Sequence, residues 1–426
     1  MALALEGIKV IDVSQVAAVP MCARHLADFG ADVLHVENPA TGDSWRVFQE
    51  AQTAAMAAAP SPINYNWEAY NRNKRSITLD LAHEMGRQII YRLVETADVF
   101  VTNLRDFEKA RFGLDYATLS DINPRLVYGS VNGYGKAGPD RELPAYDTTA
   151  YWARSGIPFA FSAPGVPVMG YRPAFGDNVA ALALAYGVMV ALFVREKTGV
   201  GQEVDTSLLH TGLYQLTFDI SGALATGMDF PDWRESPPAE LVEQAQQASQ
   251  QIGAFYASKA RNPLSAAYYT KDLRGVMILS LQPDRYWKKF CLAIGREDLA
   301  NDPRYQTADG RAQHNLALRQ TIGETFATKT LAEWIPLLEG IPYSPMQSVK
   351  EAANDPQARA SGCIVAYDHP AYGRIEAVAN PVKLSKTPAE VRLPAPEFGQ
   401  HTEEVLIEAG YTWDDIIVFK EKGVIA

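Results

Sequence analysis

The first part of the chain alternates short runs rich in β-branched residues with a longer stretch of helical apolar spacing. Residues 7–14 (GIKVIDVS) predict a buried strand, and residues 16–29 predict a helix. Gly30 fits the position just after a helix end, and residues 32–37 (DVLHVE) predict a second strand. This order predicts a βαβ unit, in which the two strands are parallel.

The alternation continues along the chain. Further strands are predicted in SITLDL (76–81), at 97–102 and at 126–131, with a helix at 83–95. Residues 178–195 are nearly all apolar and predict a buried helix, closed by the turn KTGVGQ, after which EVDTSLL restarts ordered structure. The pattern predicts an α/β fold with a Rossmann-like open parallel sheet.

Composition divides the rest of the chain. A polar, proline-containing stretch starts near residue 229, and the later AYYTKDLRGVMILSL predicts a hairpin that turns near Asp272–Gly275. We expect a large domain over 1–225 and a linker with a smaller α+β domain over 226–335. The remaining segment, 336–426, has short predicted strands and a helix at 402–408, too little for a third domain.

The charge balance excludes some classes of function. The net charge of −11 over 426 residues disfavours binding to nucleic acid or to a membrane surface, because both need clustered cations. The three cysteines are widely spaced and form no CxxC pair. We see no basic and apolar leader and no uncharged apolar run of about 18 residues, so we expect a cytoplasmic protein without a membrane partner.

The first predicted strand-to-helix turn, VSQVAAVP, contains no glycine, so it disfavours a dinucleotide-binding site. Glu37, at the end of the second strand, would then have no ribose to bind. The seven histidines are scattered, and His25 and His35 are expected at the surface or at element edges. We therefore expect neither a metal site nor a permanently bound cofactor.

Two segments carry candidate chemistry. In RPAFGDN, Asp177 precedes the apolar helix, where it could be an N-cap, a nucleophilic carboxylate or both, with Gly176 giving a substrate room to approach. NRNKRS (71–76) holds three cations in five residues, which fits either a solvated turn or a phosphate clamp.

Seven segments run in order along nearly the whole chain: GIKVIDVSQVAAVPMCARHLADFGADVLHVE, NRNKRSITLDL, ADVFVTN, VNGYG, AFGDN, REKTGVGQEVD and GQHTEEVL. Taken together, they resemble the family III CoA-transferases, the group that contains formyl-CoA, crotonobetaine and benzylsuccinate CoA-transferases. The resemblance implies two interlocked, ring-like chains in a homodimer, with 336–426 returning to the large domain. A hetero-oligomer with a homologue is the other assembly to be considered.

The resemblance also implies the chemistry. Asp177 would attack a donor acyl-CoA, and the reaction would pass through a mixed anhydride and an aspartyl-CoA thioester to a carboxylic acid acceptor. Coenzyme A would be a co-substrate. Its implied contacts are Val16, Ala17, Ala18, Asn71, Arg72, Asn73, Lys74, Asn103, Leu104, Arg105, Arg111, Asn132, Gly133 and Tyr134, with Lys74 and Arg111 as phosphate partners.

The chain departs from formyl-CoA transferase at Ala17 and Asn38, where that enzyme has glutamine and arginine, and it lacks a glycine-rich loop in the small domain. These differences disfavour oxalate or formate as the substrate. The strings NYNWEAYNRNKRS and NPLSAAYYTKD resemble members that handle larger acids, such as benzylsuccinate or aryl-lactate, which implies a larger aromatic or dicarboxylic acceptor. The related racemases have a histidine where this chain has Tyr146, and tyrosine, with an ordinary pKa near ~10, is a poor proton shuttle at neutral pH. A racemase or lyase on the same scaffold and a non-catalytic subunit remain the alternatives.

Overall fold

The structure is a computed structural model that describes residues 3–48, 61–161, 172–227 and 262–426. These residues fall into two compact units. The first comprises the described residues within 1–158, 169–221 and 360–426, and the second those within 159–168 and 222–359. The predicted proline-containing linker lies outside the described residues.

Parallel strands form the sheet of the first unit. Within the described residues there are six of them: β1 (Lys9–Val13), β2 (Asp32–Glu37), β3 (Lys74–Thr78), β4 (Val99–Thr102), β5 (Val127–Asn132) and β6 (Glu203–Ser207). Their order is β3-β2-β1-β4-β5-β6, and in register Val10 pairs with both Val33 and Val99. The predicted α/β fold with an open, Rossmann-like parallel sheet is confirmed.

The strands of this sheet are apolar because helices cover both faces of a parallel sheet. The helices that lie wholly or partly in the first unit are α1 (Ala18–Asp28), α2 (Trp45–Phe48), α3 (Tyr65–Asn71), α4 (Glu84–Val94), α5 (Asp106–Phe112), α6 (Tyr116–Ile122), a π-helix (Asp147–Ala153), α7 (Ile157–Phe161), α8 (Phe175–Thr198), α9 (Leu208–Gln215), α10 (Thr217–Thr226), α18 (Thr402–Glu408) and α19 (Trp413–Glu421). An antiparallel pair, β10 (Ile364–His369) and β11 (Gly373–Val378), belongs to the same unit.

Helix α8 is the predicted apolar helix, and it ends at Gly199, whose φ of 76° is left-handed. By length and composition alone it could cross a membrane. It packs instead against α1, β5 and β6, and its buried Arg195 forms an ion pair with Asp98 (Nη1–Oδ1 2.8 Å). It therefore serves as a core helix. The prediction that it is buried is only half correct, because Tyr186 and Phe193 on its other side are exposed.

The second unit has its own antiparallel sheet of β7 (Ser265–Tyr269), β8 (Gly275–Leu279) and β9 (Tyr343–Pro345). The predicted hairpin is confirmed, with Leu273 in a left-handed turn conformation (φ 59°). The helices of this unit are α11 (Pro283–Ala293), α12 (Glu297–Asn301), a 3-10 turn (Pro303–Tyr305), α13 (Ala308–Gln313), α14 (Asn315–Phe326), α15 (Leu331–Trp334), α16 (Val349–Ala353) and α17 (Pro356–Ala360).

The boundary of the small unit differs from the prediction. We expected it to end at 335, but it continues through residue 359. Strand β9 pairs with β8, which keeps the chain in this unit beyond 335. The aromatic core of the unit is built around Trp287, Phe290 and Phe326, which are all buried.

Candidate active site

The order of the strands reverses between β1 and β4, and open α/β sheets bind ligands at the carboxyl ends of their strands beside such a point. A cleft of about 210 Å³ lies there. Its walls come from Val13–Gln15 after β1, Glu37 and Asn38 after β2, Leu79–Ala82 after β3, and α5. Its described lining residues include carboxylates but no lysine or arginine, so cations that hold an anionic ligand must come from its rim.

The first strand-to-helix turn is held open by a carboxylate. Val16 has φ 71°, a conformation that β-branched residues strongly avoid. The carboxylate of Asp43 accepts the Val16 N–H (3.1 and 3.2 Å to Oδ1 and Oδ2) and the Trp45 N–H (2.8 Å). Asp43 therefore compensates the strain of the turn that leads into Ala17 and Ala18.

Asn103 joins this turn to the chain that follows β4. Its Oδ1 accepts the Gln15 N–H (3.1 Å), and its Nδ2 donates to the Gln15 carbonyl (2.7 Å). Leu104 lines the cleft beside them. The structure thus brings together two groups of residues, around Val16 and around Asn103, that were predicted to bind CoA.

Beneath the turn lies a fully buried charge network. The Oδ2 of Asp12 accepts hydrogen bonds from Lys74 Nζ and His35 Nδ1, each at 2.9 Å. Burial alone would lower the pKa of His35, but Asp12 outweighs it and raises that pKa to about 9. His35 is therefore an imidazolium at neutral pH. We expected His25 and His35 at the surface or at element edges. Both are buried, His25 in the last turn of α1 and His35 inside β2, so the surface expectation is wrong.

The segment that contains Lys74 is not a solvated turn. Lys74 Nζ also donates to Asn71 Oδ1 (2.8 Å), and Lys74 is 1% exposed. Arg72, equally buried, donates to Asp28 and to the Val378 carbonyl. Both charged groups thus have protein partners and are almost fully buried.

Asn73 is part of the same buried framework. It has φ 65° and donates to Asp28 Oδ1 and to the Glu390 carbonyl, each at 2.8 Å. All four predicted residues, Asn71, Arg72, Asn73 and Lys74, thus tie the sheet to neighbouring chain, and their contact with CoA stays a prediction.

The remaining predicted cations are exposed. Arg105 pairs with Glu108, and Arg111 lies over the ring of Phe112 (5.5 Å to the centroid). Glu108 and Phe112 of α5 line the cleft, and the two arginines lie at the ends of this helix, Arg105 as its N-cap and Arg111 in its last turn. Unlike the buried Lys74, both guanidinium groups are exposed to an anion in solution.

The predicted residues after β5 form a compact turn. Asn132 Oδ1 accepts the Gly135 N–H, and the guanidinium of Arg154 lies 5.5 Å from the centre of the Tyr134 ring. A Cβ on Gly133 would lie 2.2 Å from the Cβ of Ala145, so only glycine fits there.

Asp177 lies in the first turn of α8, but it is not the N-cap. That position belongs to Ala174 (φ 59°), which has no capping side chain. The cap comes from the π-helix, where Asp147 Oδ1 accepts the Gly176 N–H at 2.9 Å. A Cβ on Gly176 would lie 2.1 Å from Tyr151 Cγ and 2.3 Å from Asp147 Oδ1. Packing against Tyr151 and Asp147 therefore requires glycine at position 176, independently of any approach by a substrate.

The electrostatics of this corner favour neutral carboxyl groups. Burial, and then the charge of Asp147, raises the pKa of Asp177 to about 7. Burial raises the pKa of Asp147 to about 6, although the N–H groups at the start of α8 oppose the shift. Next to the pair, Tyr70 donates its hydroxyl to Asn178 Oδ1 (3.0 Å). Asp177 can thus change between carboxylic acid and carboxylate near neutral pH.

Comparison with known proteins decides the family. The model of CoA-transferase family III matches residues 5–402. The chain belongs to CoA-transferase family III. It is 32% identical to the (R)-2-hydroxy-4-methylpentanoate CoA-transferase of Clostridioides difficile, over 99% of each chain. It is 31% identical to the cinnamoyl-CoA:phenyllactate CoA-transferase of Clostridium sporogenes, over 98% of each chain.

A solved structure agrees with this family. A CaiB/BaiF family protein from Brucella suis superposes with a TM-score of 0.76 at 27% identity, covering 96% of this chain and 100% of that one. As a family III CoA-transferase, the protein is an enzyme that acts on an acyl-CoA and an acid, and CoA is its co-substrate. The described residues contain no cluster of three or more possible metal ligands.

Sequence reasoning missed two site residues, Asp43 and Asp147. Each acts on a residue about thirty positions away, through a single N–H group. Neither lies in a recognisable motif, and only the fold places Asp43 under Val16 or Asp147 beside Gly176.

Proposed function

We propose that this family III CoA-transferase uses Asp177 as its nucleophile and transfers CoA through covalent intermediates on that side chain. The observation that carries the proposal is the combination of position and ionisation: Asp177 is a largely buried carboxylate in the first turn of α8, with a pKa near 7. A carboxylate that loses its proton near neutral pH, and is poorly solvated once it has, is a stronger nucleophile than an ordinary aspartate.

The steps balance without an external oxidant or base. The Asp177 carboxylate attacks the donor thioester carbonyl, which expels CoA thiolate and leaves a mixed anhydride. The thiolate attacks the Asp177 carbonyl carbon and releases the donor acid, so that an aspartyl-CoA thioester remains. The acceptor carboxylate attacks this thioester to give a second anhydride and thiolate. The thiolate then takes the acceptor acyl group and regenerates Asp177.

We place the CoA nucleotide at the rim of the cleft after β1 and β4, with Arg111 as the best phosphate partner and Arg105 beside it. The exposure of both guanidinium groups and their position on the helix that lines the cleft support this assignment. The Val16–Ala18 turn and Asn103 would hold the less charged part of CoA through backbone and amide groups.

For the acceptor we propose a 2-hydroxy acid with an apolar side chain. Two relatives are named for such acids, (R)-2-hydroxy-4-methylpentanoate and phenyllactate. Trp152 and Phe175, whose rings are 5.5 Å apart beside Asp177, supply apolar surface of the kind that such a side chain needs.

We further propose that the working protein is a homodimer of interlocked chains. Besides the resemblance, the exposed apolar face of α8 supports an assembly, since Tyr186 and Phe193 are 74% and 62% exposed there. Sedimentation at nanomolar protein tests this proposal. A folded monomer that transfers CoA would contradict it, and a chain that is active only with a homologue would indicate a hetero-oligomer.

The test of function is CoA transfer between a labelled acyl-CoA and a panel of acids, run with wild type, Asp177→Asn and Asp177→Ala. We expect wild type to form the new acyl-CoA and both variants to be folded and inactive. Substantial transfer by Asp177→Ala would refute the nucleophile assignment. Inversion of a 2-substituted acyl-CoA without exchange would instead identify a racemase.

A further inference from the structure

We propose that Asp147 is a positioning residue for the nucleophile: it accepts the Gly176 N–H at the start of α8 and places a second negative charge near Asp177. This inference rests on Asp177 being the nucleophile. It goes further in assigning to a residue of the π-helix the control of when that nucleophile is ionised.

The first observation concerns the N–H groups at the start of α8. The N–H groups at the start of a helix normally stabilise a nearby carboxylate, and Asp177 sits in the first turn of a 24-residue helix. Here Asp147 Oδ1 takes the Gly176 N–H at 2.9 Å. Among the described residues, none donates a hydrogen bond to the Asp177 carboxylate, so the nucleophile lacks the donors that its position in the helix would lead one to expect.

The second oxygen of Asp147 points to the same conclusion. Asp147 Oδ2 is buried and has no hydrogen-bond partner among the described residues. An ionised carboxylate with a buried, unpartnered oxygen is costly. The structure therefore holds two poorly solvated carboxyl groups around Gly176, and the N–H groups at the start of α8 act on Asp147.

Few other charges act on this corner. Among the described residues, Asp147 is the only charged group that shifts the pKa of Asp177, and its charge acts in the same direction as burial. Burial, and then the charge of Asp177, raises the pKa of Tyr70, while burial and then the charge of Asp147 raise the pKa of Tyr151. Arg24, which forms an ion pair with Asp28, acts on Tyr70. Two acids without a neutralising cation titrate as a coupled pair.

The consequence is a nucleophile whose reactivity depends on its neighbour. Stabilising donors on Asp177 would make it a weaker base and a weaker nucleophile. By taking the helix N–H group, Asp147 leaves the attacking oxygens free of it. Its own negative charge, present above about pH 6, further raises the basicity of Asp177.

Asp147→Asn isolates the charge, because the amide oxygen can still accept the Gly176 N–H. The control is Asp115→Asn, since Asp115 caps α6 through the Thr118 N–H (3.0 Å) and lies outside the pair. The measurement is kcat/KM against pH with an acyl-pantetheine donor, which lacks the phosphate of CoA that itself titrates near pH 6.

We expect Asp147→Asn to move the acid limb of the profile to lower pH by about one unit, and to lower the high-pH plateau about threefold as Asp177 becomes less basic. Asp115→Asn should leave both unchanged. A second readout does not need activity: in enzyme labelled with carboxyl-carbon-13 aspartate, the NMR signal that disappears in Asp177→Asn should titrate at lower pH in Asp147→Asn.

The outcomes separate the two proposals. In one outcome, Asp147→Asn changes neither the acid limb of the kcat/KM profile against pH nor the midpoint pH of the Asp177 NMR titration, while Asp177→Asn is inactive. The nucleophile assignment then stands and the role of Asp147 is refuted. If Asp147→Asn only lowers the rate at every pH equally, Asp147 is structural and the inference also fails. If Asp177→Ala still transfers CoA, the proposed function itself fails.

Discussion

The raised pKa of Asp177 has a consequence for stability that can be measured without any substrate. An aspartate with an ordinary pKa of 3.8 and a folded-state pKa of about 7 binds its proton more tightly in the folded protein. Folding is therefore penalised when the group must ionise, and the penalty grows as pH rises from about 4 to about 7. Asp177→Asn removes this penalty, so the variant should gain stability over wild type with increasing pH.

The magnitude follows from the two pKa values of Asp177. Linkage gives a penalty of about 2 kcal/mol at pH 5 and about 4 kcal/mol at pH 8, to order of magnitude. The difference in unfolding free energy between Asp177→Asn and wild type should thus grow by about 2–3 kcal/mol over this range. Comparing the two pH values cancels any effect of the substitution that does not depend on pH.

The assay is urea unfolding at pH 5 and pH 8, at one fixed protein concentration because an oligomer's stability depends on it. Asp115→Asn is the control, because hydrogen bonds from Thr118 outweigh partial burial and lower the pKa of Asp115. The stability of this variant relative to wild type should therefore change with pH in the opposite direction. A stability gain for Asp177→Asn that is the same at both pH values, or a loss at pH 8, would refute the reasoning.

The remaining predictions concern the turns around the cleft. Arg111→Ala should raise KM for acyl-CoA about tenfold or more and leave acyl-pantetheine nearly unaffected, whereas equal effects on both donors would reject the phosphate contact. Lys74→Ala should instead lower the unfolding free energy by about 3–5 kcal/mol in urea titrations, because it leaves Asp12 buried without its ammonium partner. A stable Lys74→Ala with raised KM for acyl-CoA alone would contradict the structure. Gly176→Ala should cost about 1–3 kcal/mol or more and abolish transfer, because its Cβ would meet Tyr151; wild-type stability and activity in that variant would show that the π-helix can move away.

The strands and the parallel fold could be predicted because apolar runs of β-branched residues recur at βαβ spacing. The position of His35 could not. Strand β2 is buried on both faces, so the alternation that assigns a polar residue to the solvent side of an amphipathic strand does not apply there. A histidine in such a strand needs a partner, and Asp12 is that partner only because β1 and β2 pair in register, Asp12 opposite His35.

The candidate site likewise contains residues that the sequence could predict and residues that it could not. Asp177 and the Val16 turn follow from local sequence and the family resemblance. The burial of Lys74 does not, because a run of cations looks solvent-exposed until the fold supplies buried carboxylates at Asp12 and Asp28. The exposure of one side of α8 is equally invisible in an almost uniformly apolar stretch, which has no polar face to mark it.

The most direct test of the central claim follows the oxygen atoms. In the proposed mechanism an acceptor acid labelled with heavy oxygen in its carboxylate leaves one labelled oxygen on Asp177 each time it takes CoA, because the second anhydride breaks on the acceptor side. After turnover with labelled acid, mass spectrometry of proteolytic peptides should find the label in the peptide that contains Asp177, and fragmentation should place it on that side chain. Label on Asp147, or CoA transfer that leaves every aspartate and glutamate unlabelled, would contradict the account.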